Sequence, residues 1–513
     1  MDSLQSFFKE TTCAAKLSRE NELFKGRNSL YPSLCAAVEV SFDEHRQRFV
    51  RAVVDIPVGK VICVDEGITF AFDDSCCQFC LTALKKAETK SCARCRVDKK
   101  CKLIRQTEDG ATAQLAKHGM LEFCVRIVLS FPVEQIAAAV RKKDYGNPVS
   151  GFSSRSFSSI AFLSQADIEV PDIMQSFGKD LEPVLSKLDK HPEWSTVVER
   201  RKLFCDALRF VMMRVPSNAH SVILPDADPR ISADYRQNLA EALEEVLWPT
   251  HDSSRKKREA KYRCSTGKET EAPVGVGFFP IASIVNHSCK PNTFSYFHEN
   301  RMIFVSKGIR AGQEVTDSYG PAVFTHTYEE RQEMLQGRGF SCTCSECRLE
   351  REEMKEGGRR EQMLSKAKED DLDGYLNAIA DRPSFSSSLR LLNQIERLLP
   401  SFDVSLAHSY RIVILTAAQE GKLSESCSLL SRYRRVYTRM QSSFDIVTAS
   451  ISHSFAVVLF ACYQRSADRE MLIRAQTEAF RAINQYTLLF GRHGVLTRAI
   501  MHFIKDHEDL ING

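Results

Sequence analysis

From residue 34 to 70 short runs of apolar residues recur, some at every second place. Val38-Glu-Val-Ser-Phe42 alternates, and Arg48 to Asp55 leads into the turn Ile56-Pro57-Val58-Gly59. Val61-Ile-Cys-Val64 follows, so residues 34–70 predict short strands. From about 112 to 215 the period lengthens. Leu203, Phe204, Ala207, Leu208, Val211, Met212 and Val215 share one helical stripe, and Leu121–Leu129 predicts a further helix. Between them Gly146–Ser159, rich in Gly and Ser, predicts a loop. Residues 226–273 look like an insertion, with a helix over Ala233–Leu247 followed by Arg255-Lys-Lys-Arg258. Strands return over 275–320, where Met302–Ser306 is a strand and Ala311-Gly312-Gln313 a turn. The charged stretch Arg348–Asp373 reads as an exposed helix or linker. Beyond it Leu389–Leu399, Ala407–Gln419, Ser424–Met440, Ala449–Tyr463 and Arg474–Phe490 are amphipathic. Paired helices with short connections predict an array of helical hairpins, without a tetratricopeptide repeat signature.

Composition narrows the class. A chain of 513 residues allows roughly three domains of ~150 residues, and 43% hydrophobic with 27% charged residues is ordinary for a globular protein. Seventy Lys and Arg against 66 Asp and Glu leave +4, too weak a field to make nucleic acid the main partner. The N-terminal Met1-Asp-Ser-Leu-Gln lacks a secretory signal. The longest apolar run, Phe455–Tyr463, is about half of the ~20 residues that span a bilayer. The expectation is a soluble intracellular monomer without a membrane partner, in cytoplasm and nucleus. The basic cluster at 255–258 reads either as a targeting or nucleic-acid patch or, among its acidic neighbours, as a solvated loop.

Eighteen cysteines in a chain without a secretory leader imply reduced thiols. Cys35, Cys63, Cys205 and Cys462, single among apolar residues, read as small buried hydrophobes. Two groups differ. Cys77/Cys80 and Cys92/Cys95, with Cys101 following, carry the paired spacing that holds a tetrahedral zinc ion at ~2.3 Å. Cys342, Cys344 and Cys347 supply only three ligands, so their fourth must come from elsewhere in the chain.

The most informative segment runs from Gly275 through an apolar stretch to Asn286-His287-Ser288-Cys289-Lys-Pro-Asn292. Its polar residues, if buried, must all find partners. It is followed by Gly312-Gln-Glu-Val-Thr-Asp-Ser-Tyr319-Gly320. This pair of segments resembles the SET domain of protein lysine methyltransferases, and within that class the SET-and-MYND (SMYD) family. Asp55-Ile-Pro-Val-Gly resembles the first half of a split SET domain, Cys77–Cys101 an inserted MYND finger, and Asn218-Ala-His220 with Asn286–Asn292 the second half. Phe340-Ser-Cys342-Thr-Cys344-Ser-Glu-Cys347 resembles the post-SET zinc site.

The resemblance implies an α+β protein: a split SET β fold with inserted zinc finger and helical region, a post-SET zinc site and a C-terminal α-helical, TPR-like hairpin array. Its parts would be residues 1–75 (first SET half), 76–118 (degenerate finger), 119–215 (helical insertion), 216–336 (second SET half, with the charged insertion 226–273), 337–350 (post-SET) and 351–513 (helical domain). It implies that Cys289 joins Cys342, Cys344 and Cys347 on one zinc. It further implies S-adenosylmethionine as methyl donor, held by Asn286, His287, Phe340 and, more weakly, Asn218, with Tyr319 touching the donor and orienting the lysine amine. The substrate would be a protein presenting a lysine, histone or not, and the finger would take a proline-rich peptide or a corepressor.

The sequence departs from the pattern twice. Gln47, Arg48 and Phe49 stand where relatives carry Gly-x-Gly, so either these side chains point away from the donor or donor binding is weakened. Arg105 stands where the finger's next cysteine belongs. Two finger arrangements remain open: one zinc on Cys77, Cys80, Cys92 and Cys95, or two interleaved sites, with Cys77, Cys80 and Cys101 on one ion and Cys92, Cys95 and His118 on the other. Cys124 lies in the predicted helix and reads as core. Against the enzyme stands a second expectation, a weak or inactive SET scaffold acting as an adaptor in transcriptional regulation. A zinc-dependent DNA-binding repressor fits the balanced charge least.

Overall fold

The computed structural model describes residues 23–71, 119–147, 156–163, 165, 169–223, 274–298, 300–355, 358–381, 383–400, 403–440, 444–491 and 495–505. The finger residues Cys77, Cys80, Cys92, Cys95, Cys101 and His118, like the insertion 226–273 with its predicted helix and basic cluster, lie outside the described residues.

The alternating segments form strands β1 (Val38–Asp43), β2 (Gln47–Ala52), β3 (Val61–Glu66) and β4 (Thr69–Ala71). Later in the chain come β5 (Ala219–Ile223), β6 (Val274–Phe278), β7 (Asn286–His287), β8 (Thr293–His298), β9 (Arg301–Ser306) and β10 (Glu314–Asp317). Among the described residues they build three small sheets, ordered β1-β2-β10-β7, β3-β9-β8 and β4-β6-β5. Each sheet joins strands from the first seventy residues to strands after 218, so neither set completes a sheet alone. Val50 pairs with Val315 and Val64 with Ile303. The two-residue β7 runs parallel to β10, Asn286 opposite Thr316 and His287 opposite Asp317. This pairing satisfies the backbone of a polar segment too short for a strand of its own. Upstream of it, buried Asp65 accepts from the amides of Ile281 (2.8 Å) and Ala282 (3.0 Å), which fastens the apolar segment before Asn286 to β3.

The region with helical period folds into α1 (Gly119–Leu129), α2 (Val133–Val140), α3 (Ile173–Leu188), α4 (Pro192–Ser195), α5 (Arg200–Met212) and α6 (Val215–Asn218). They enclose a core of their own, with Cys124 fully buried in it. The expected Gly/Ser loop ends sooner than its composition suggests. Phe157–Phe162 is a 3-10 turn, because Phe157 and Ile160 are buried and the Phe157 ring meets Phe131 edge-on at 5.4 Å.

Two short helices follow, α7 (Tyr328–Gln336) and α8 (Ser345–Glu353), with Cys342 and Cys344 between them and Cys347 inside α8. The charged stretch beyond is helix rather than linker over α9 (Arg359–Glu369). The rest of the array is α10 (Leu372–Ala380), α11 (Phe385–Leu398), α12 (Val404–Gln419), α13 (Leu423–Met440), α14 (Ile446–Ser466), α15 (Arg469–Phe490) and α16 (Val495–Lys505). By length and composition α14 would suit a membrane, but most of its apolar window is buried inside the array. Its side chains from Ile446 to Phe460 are all buried, so over Ala449–Tyr463 the helix forms as expected but is not amphipathic, because the array surrounds it on every side.

The array shares one continuous core with the β1 and β3 sheets. Phe490 of α15 stands edge-on to Phe294 at 5.3 Å and to Tyr296 at 5.1 Å. At the Ile56–Gly59 turn the chain approaches α15 so closely that a Cβ on Gly59 would sit 2.7 Å from Leu488 Cδ2. Of the four cysteines expected as buried hydrophobes, Cys35, Cys63 and Cys205 are buried, whereas Cys462 is only half-buried.

Candidate functional site

The chain folds back after α7 so that residues distant in sequence meet. Gly339, at φ +87°, takes a left-handed conformation that glycine tolerates, and the Phe340 amide returns to Leu335 O. Cys344 then caps α8. The result brings the sulfurs of Cys289, Cys342, Cys344 and Cys347 within 4.8 Å of one another. Cys289 and Cys347 are fully buried and their sulfurs are 3.5 Å apart. Sulfurs 2.3 Å from a central zinc would form a tetrahedron with edges of about 3.8 Å, so the four fit such an ion.

Groups around the sulfurs fit it as well. The Cys344 amide donates to Cys342 Sγ at 3.4 Å, and Gln332 Nε2 to Cys347 Sγ at 3.3 Å. His287 Nδ1 accepts from the Tyr319 amide at 3.1 Å. In the neutral imidazole the proton is then on Nε2, which faces Cys289 Sγ at 3.3 Å. Such N–H groups orient thiolates and offset their charge. Buried Arg331 adds a full charge. It donates to His326 O and pairs with Glu350. Burial opposes its charge, but Glu350 and the sulfurs of Cys289 and Cys347 outweigh that and hold it above its ordinary value. Thiols this close cannot all ionise on their own: contact with its three partners pushes Cys289 up, while hydrogen bonding to Cys289 pulls Cys342 down. A central dication removes the conflict by drawing all four as thiolates.

On the other side of His287 the rings of His287, Tyr319 and Phe340 converge. Centroids lie 5.3 Å apart for His287–Tyr319, 6.0 Å for His287–Phe340 and 6.2 Å for Tyr319–Phe340. Phe340 is 37% exposed, so it is a ring with one open face rather than core. The Tyr319 hydroxyl donates to Val285 O at 2.9 Å. Burial, then the charge of Asp317, push that phenol well above its ordinary value, so it stays protonated at neutral pH. With its proton committed to a carbonyl, the oxygen keeps lone pairs for an incoming N–H.

Tyr319 opens onto a cavity of about 250 Å³ between the sheets and the helical array. Phe294, Tyr296 and Phe297 line one wall, and Asp317, Lys307 and Asp445 supply charge. Asp317 accepts from Ser295 Oγ at 2.9 Å, and burial pushes it up to about 6. Asn218 also lines this cavity, although its amide donates to Arg214 O at 2.7 Å as a local cap. His220 beside it bonds Ser283 Oγ, and burial, aided by Arg338, lowers it to about 4.

Where relatives carry Gly-x-Gly, the backbone of Gln47 adopts φ +56°, the left-handed form that glycine favours. Gln47 is exposed, but Arg48 and Phe49 are buried. Arg48 reaches Ser159 O at 2.9 Å, away from Asn286. Phe49 lies under the Arg46 guanidinium, which stands 3.8 Å above its ring. Asn286 spends its side-chain amide on Glu314 (2.9 Å) and Arg46 O (3.3 Å). No pattern along the chain signals Gln332, Arg331 or the Lys307–Asp445 pair at this site, since each acts across a packing contact.

A family model of the SET domain matches residues 47–320, the span that contains β2 to β10. The chain is 30% identical over 328 residues to "SET domain-containing protein 3" of Caenorhabditis elegans, which covers 62% of this chain and 61% of that protein. It is 39% identical over 90 residues to human "Protein-lysine N-methyltransferase SMYD4", 17% of this chain and 11% of that one. It is also 35% identical over 79 residues to mouse "Histone-lysine N-methyltransferase SMYD3", 15% and 18% of the two chains. The matched stretches thus span less than two thirds of each relative's length. With the family model covering more than half of the chain, and relatives carrying the SMYD name, this protein belongs to the SET-domain family, in its SMYD-like branch.

Proposed function

We propose that the chain is an S-adenosylmethionine-dependent protein-lysine N-methyltransferase with a zinc ion on Cys289, Cys342, Cys344 and Cys347. The observation that carries this reading is the meeting of Tyr319, His287 and Phe340 beside the four sulfurs, at the mouth of an aromatic-walled cavity. The open face of Phe340 fits an adenine ring. Asn286, His287 and Phe340 would hold the donor, with Asn218 near the cavity. The donor, when bound, supplies an electrophilic methyl group on a sulfonium.

The chain's own residues then have three tasks. The aromatic wall strips water from the lysine side chain, which favours the neutral amine over its usual ammonium form, pKa ~10.4. Tyr319, fixed by Val285 O, accepts an N–H of that amine and aims its lone pair. His287 links both regions: its Nδ1 holds the Tyr319 amide and its Nε2 faces the Cys289 sulfur. Metal occupancy therefore supports the position of Tyr319. The substrate would be a protein presenting a lysine, reached in cytoplasm or nucleus, and the finger would recruit a proline-rich partner.

The Arg46–Phe49 stack and the committed Asn286 amide favour a second reading, a weak or inactive scaffold that acts as an adaptor. Calorimetry of zinc-loaded protein with S-adenosylmethionine and its demethylated product separates the two. A saturable heat supports the enzyme. A flat titration of folded, metallated protein leaves the adaptor.

A further inference from the structure

Among the described residues, Lys307, Arg338 and Arg411 bring cations to the cavity beside Tyr319. Two of them are committed. Lys307 pairs with Asp445 at 2.5 Å, and Arg411 donates to Tyr433 OH at 2.6 Å. Arg338 differs. It stands in the turn after α7, where its amide returns to Leu335 O at 2.9 Å. Its side chain is half-buried, with the guanidinium carbon 5.7 Å from the centroid of the Tyr319 ring. Among the described residues that guanidinium has no hydrogen-bond or ion-pair partner. The acids of the cavity are turned elsewhere: Asp445 holds Lys307, and Asp317 accepts from Ser295 Oγ at 2.9 Å and Thr293 Oγ1 at 3.4 Å. Burial pulls Arg338 below its ordinary value, against the attraction of the Tyr319 phenol.

We propose that Arg338 is a specificity-determining residue that binds a carboxylate of the substrate, an aspartate or glutamate two positions from the target lysine. The assignment rests on the reading of Tyr319 as the group that meets the lysine amine. Tyr319 and Arg338 line the cavity, while His287 and Phe340, which would hold the donor, are outside its lining. The guanidinium therefore faces the substrate's side of Tyr319.

Charge and shape both favour a carboxylate there. A lysine arriving alone would bring a second cation toward an unpaired one, and the two repel more strongly as water is excluded. An acid carried on the same peptide offsets both charges. A half-buried cation without a counter-charge has lost hydration that an anion can replace, and the planar guanidinium takes a carboxylate in a two-point grip. Reach agrees as well. In an extended peptide, residues two apart face the same side about 7 Å from each other, comparable with the 5.7 Å between guanidinium and ring. The lysine can therefore meet Tyr319 while its neighbour meets Arg338.

Peptide binding and methyl transfer by the full-length, zinc-loaded chain test this. The probes are fluorescein-labelled peptides with one central lysine and glutamate, glutamine or arginine two residues before or after it, otherwise identical. In anisotropy titrations the glutamate peptides should bind on the order of 10-fold more tightly than the glutamine ones, and labelled methyl transfer should show the same preference in kcat/KM. Arg338→Gln should erase the preference and Arg338→Lys should keep a weaker one. Arg338→Glu should turn it toward the arginine peptides, a reversal that a merely structural role would not produce. A preference retained in Arg338→Gln overturns the proposal. Equal binding of glutamate and glutamine peptides by the wild type overturns it even if no variant folds. Because anisotropy needs no chemistry, a glutamate preference lost in Arg338→Gln on a chain that transfers no methyl group counts against the methyltransferase reading and leaves the carboxylate site standing.

Discussion

Replacing Asp445 by Asn should loosen the joint between the sheets and the helical array. Asp445 and Lys307 form a 2.5 Å ion pair with side chains only 2% and 6% exposed. The same carboxylate accepts from Tyr437 OH at 3.0 Å and from the Val447 amide at 3.2 Å as the cap of α14. Asparagine keeps an oxygen for the cap and the phenol but leaves the Lys307 ammonium buried without its counter-charge. Breaking one side of a buried pair costs about 3–5 kcal/mol. Alanine should cost about 1 kcal/mol more for the lost cap and about 1 kcal/mol more for the orphaned phenol. Adding Lys307→Met to Asp445→Asn removes both charges and should recover at least half of the loss. Urea denaturation followed by far-ultraviolet circular dichroism measures the wild type, the two Asp445 variants, Lys307→Met and the double variant. Because the two side chains are almost fully buried, the ranking should persist in high salt. A penalty for Asp445→Asn below about 1 kcal/mol, or a double variant that loses the sum of the singles, would show that solvent reaches Lys307 and refute the reasoning.

Other expectations test the site more directly. Cys342→Ser, or a strong chelator, should release one zinc per four-sulfur site and lower the thermal midpoint, since metal binding is coupled to folding there; metal analysis and a melting curve check it, and an unchanged midpoint counts against a structural ion. Tyr319→Phe should reduce lysine methylation on the order of 10²-fold while donor affinity stays near wild type, as read by labelled methyl transfer beside calorimetry; equal turnover removes Tyr319 from the reaction. Asp317, raised by burial from 3.8 to about 6, holds a proton in the native state that the unfolded chain has released between those values. Stability should therefore fall as pH rises through that window, by about 1.4 kcal/mol for each pH step of one within it, and Asp317→Asn should flatten the slope; parallel stability profiles for the two proteins would contradict this.

Much of the architecture could be read along the chain because its causes are local. Alternation at Val38–Phe42 and Val61–Val64 and helical stripes after 385 come from each residue's own solvation, and the helices appear within a few residues of where periodicity predicts them. Asn286–His287 was harder, since a two-residue strand exists only because β10 lies beside it. Phe157 and Ile160 turned an apparent loop into a 3-10 turn for a similar reason: composition reports flexibility, and packing overrules it.

Residue order alone thus establishes which segments carry sulfur, aromatic and amide chemistry, because spacing such as Cys342-Thr-Cys344-Ser-Glu-Cys347 is a property of the chain. It also required a distant fourth ligand without locating one from spacing, and Cys289 was available only through family likeness. Folding supplies the rest: the four sulfurs within reach of one ion, His287 between Tyr319 and Cys289, and Lys307 against Asp445. Those are pairings between residues up to 138 positions apart. Their energies depend on burial and distance, which no one-dimensional pattern contains until the chain has closed on itself.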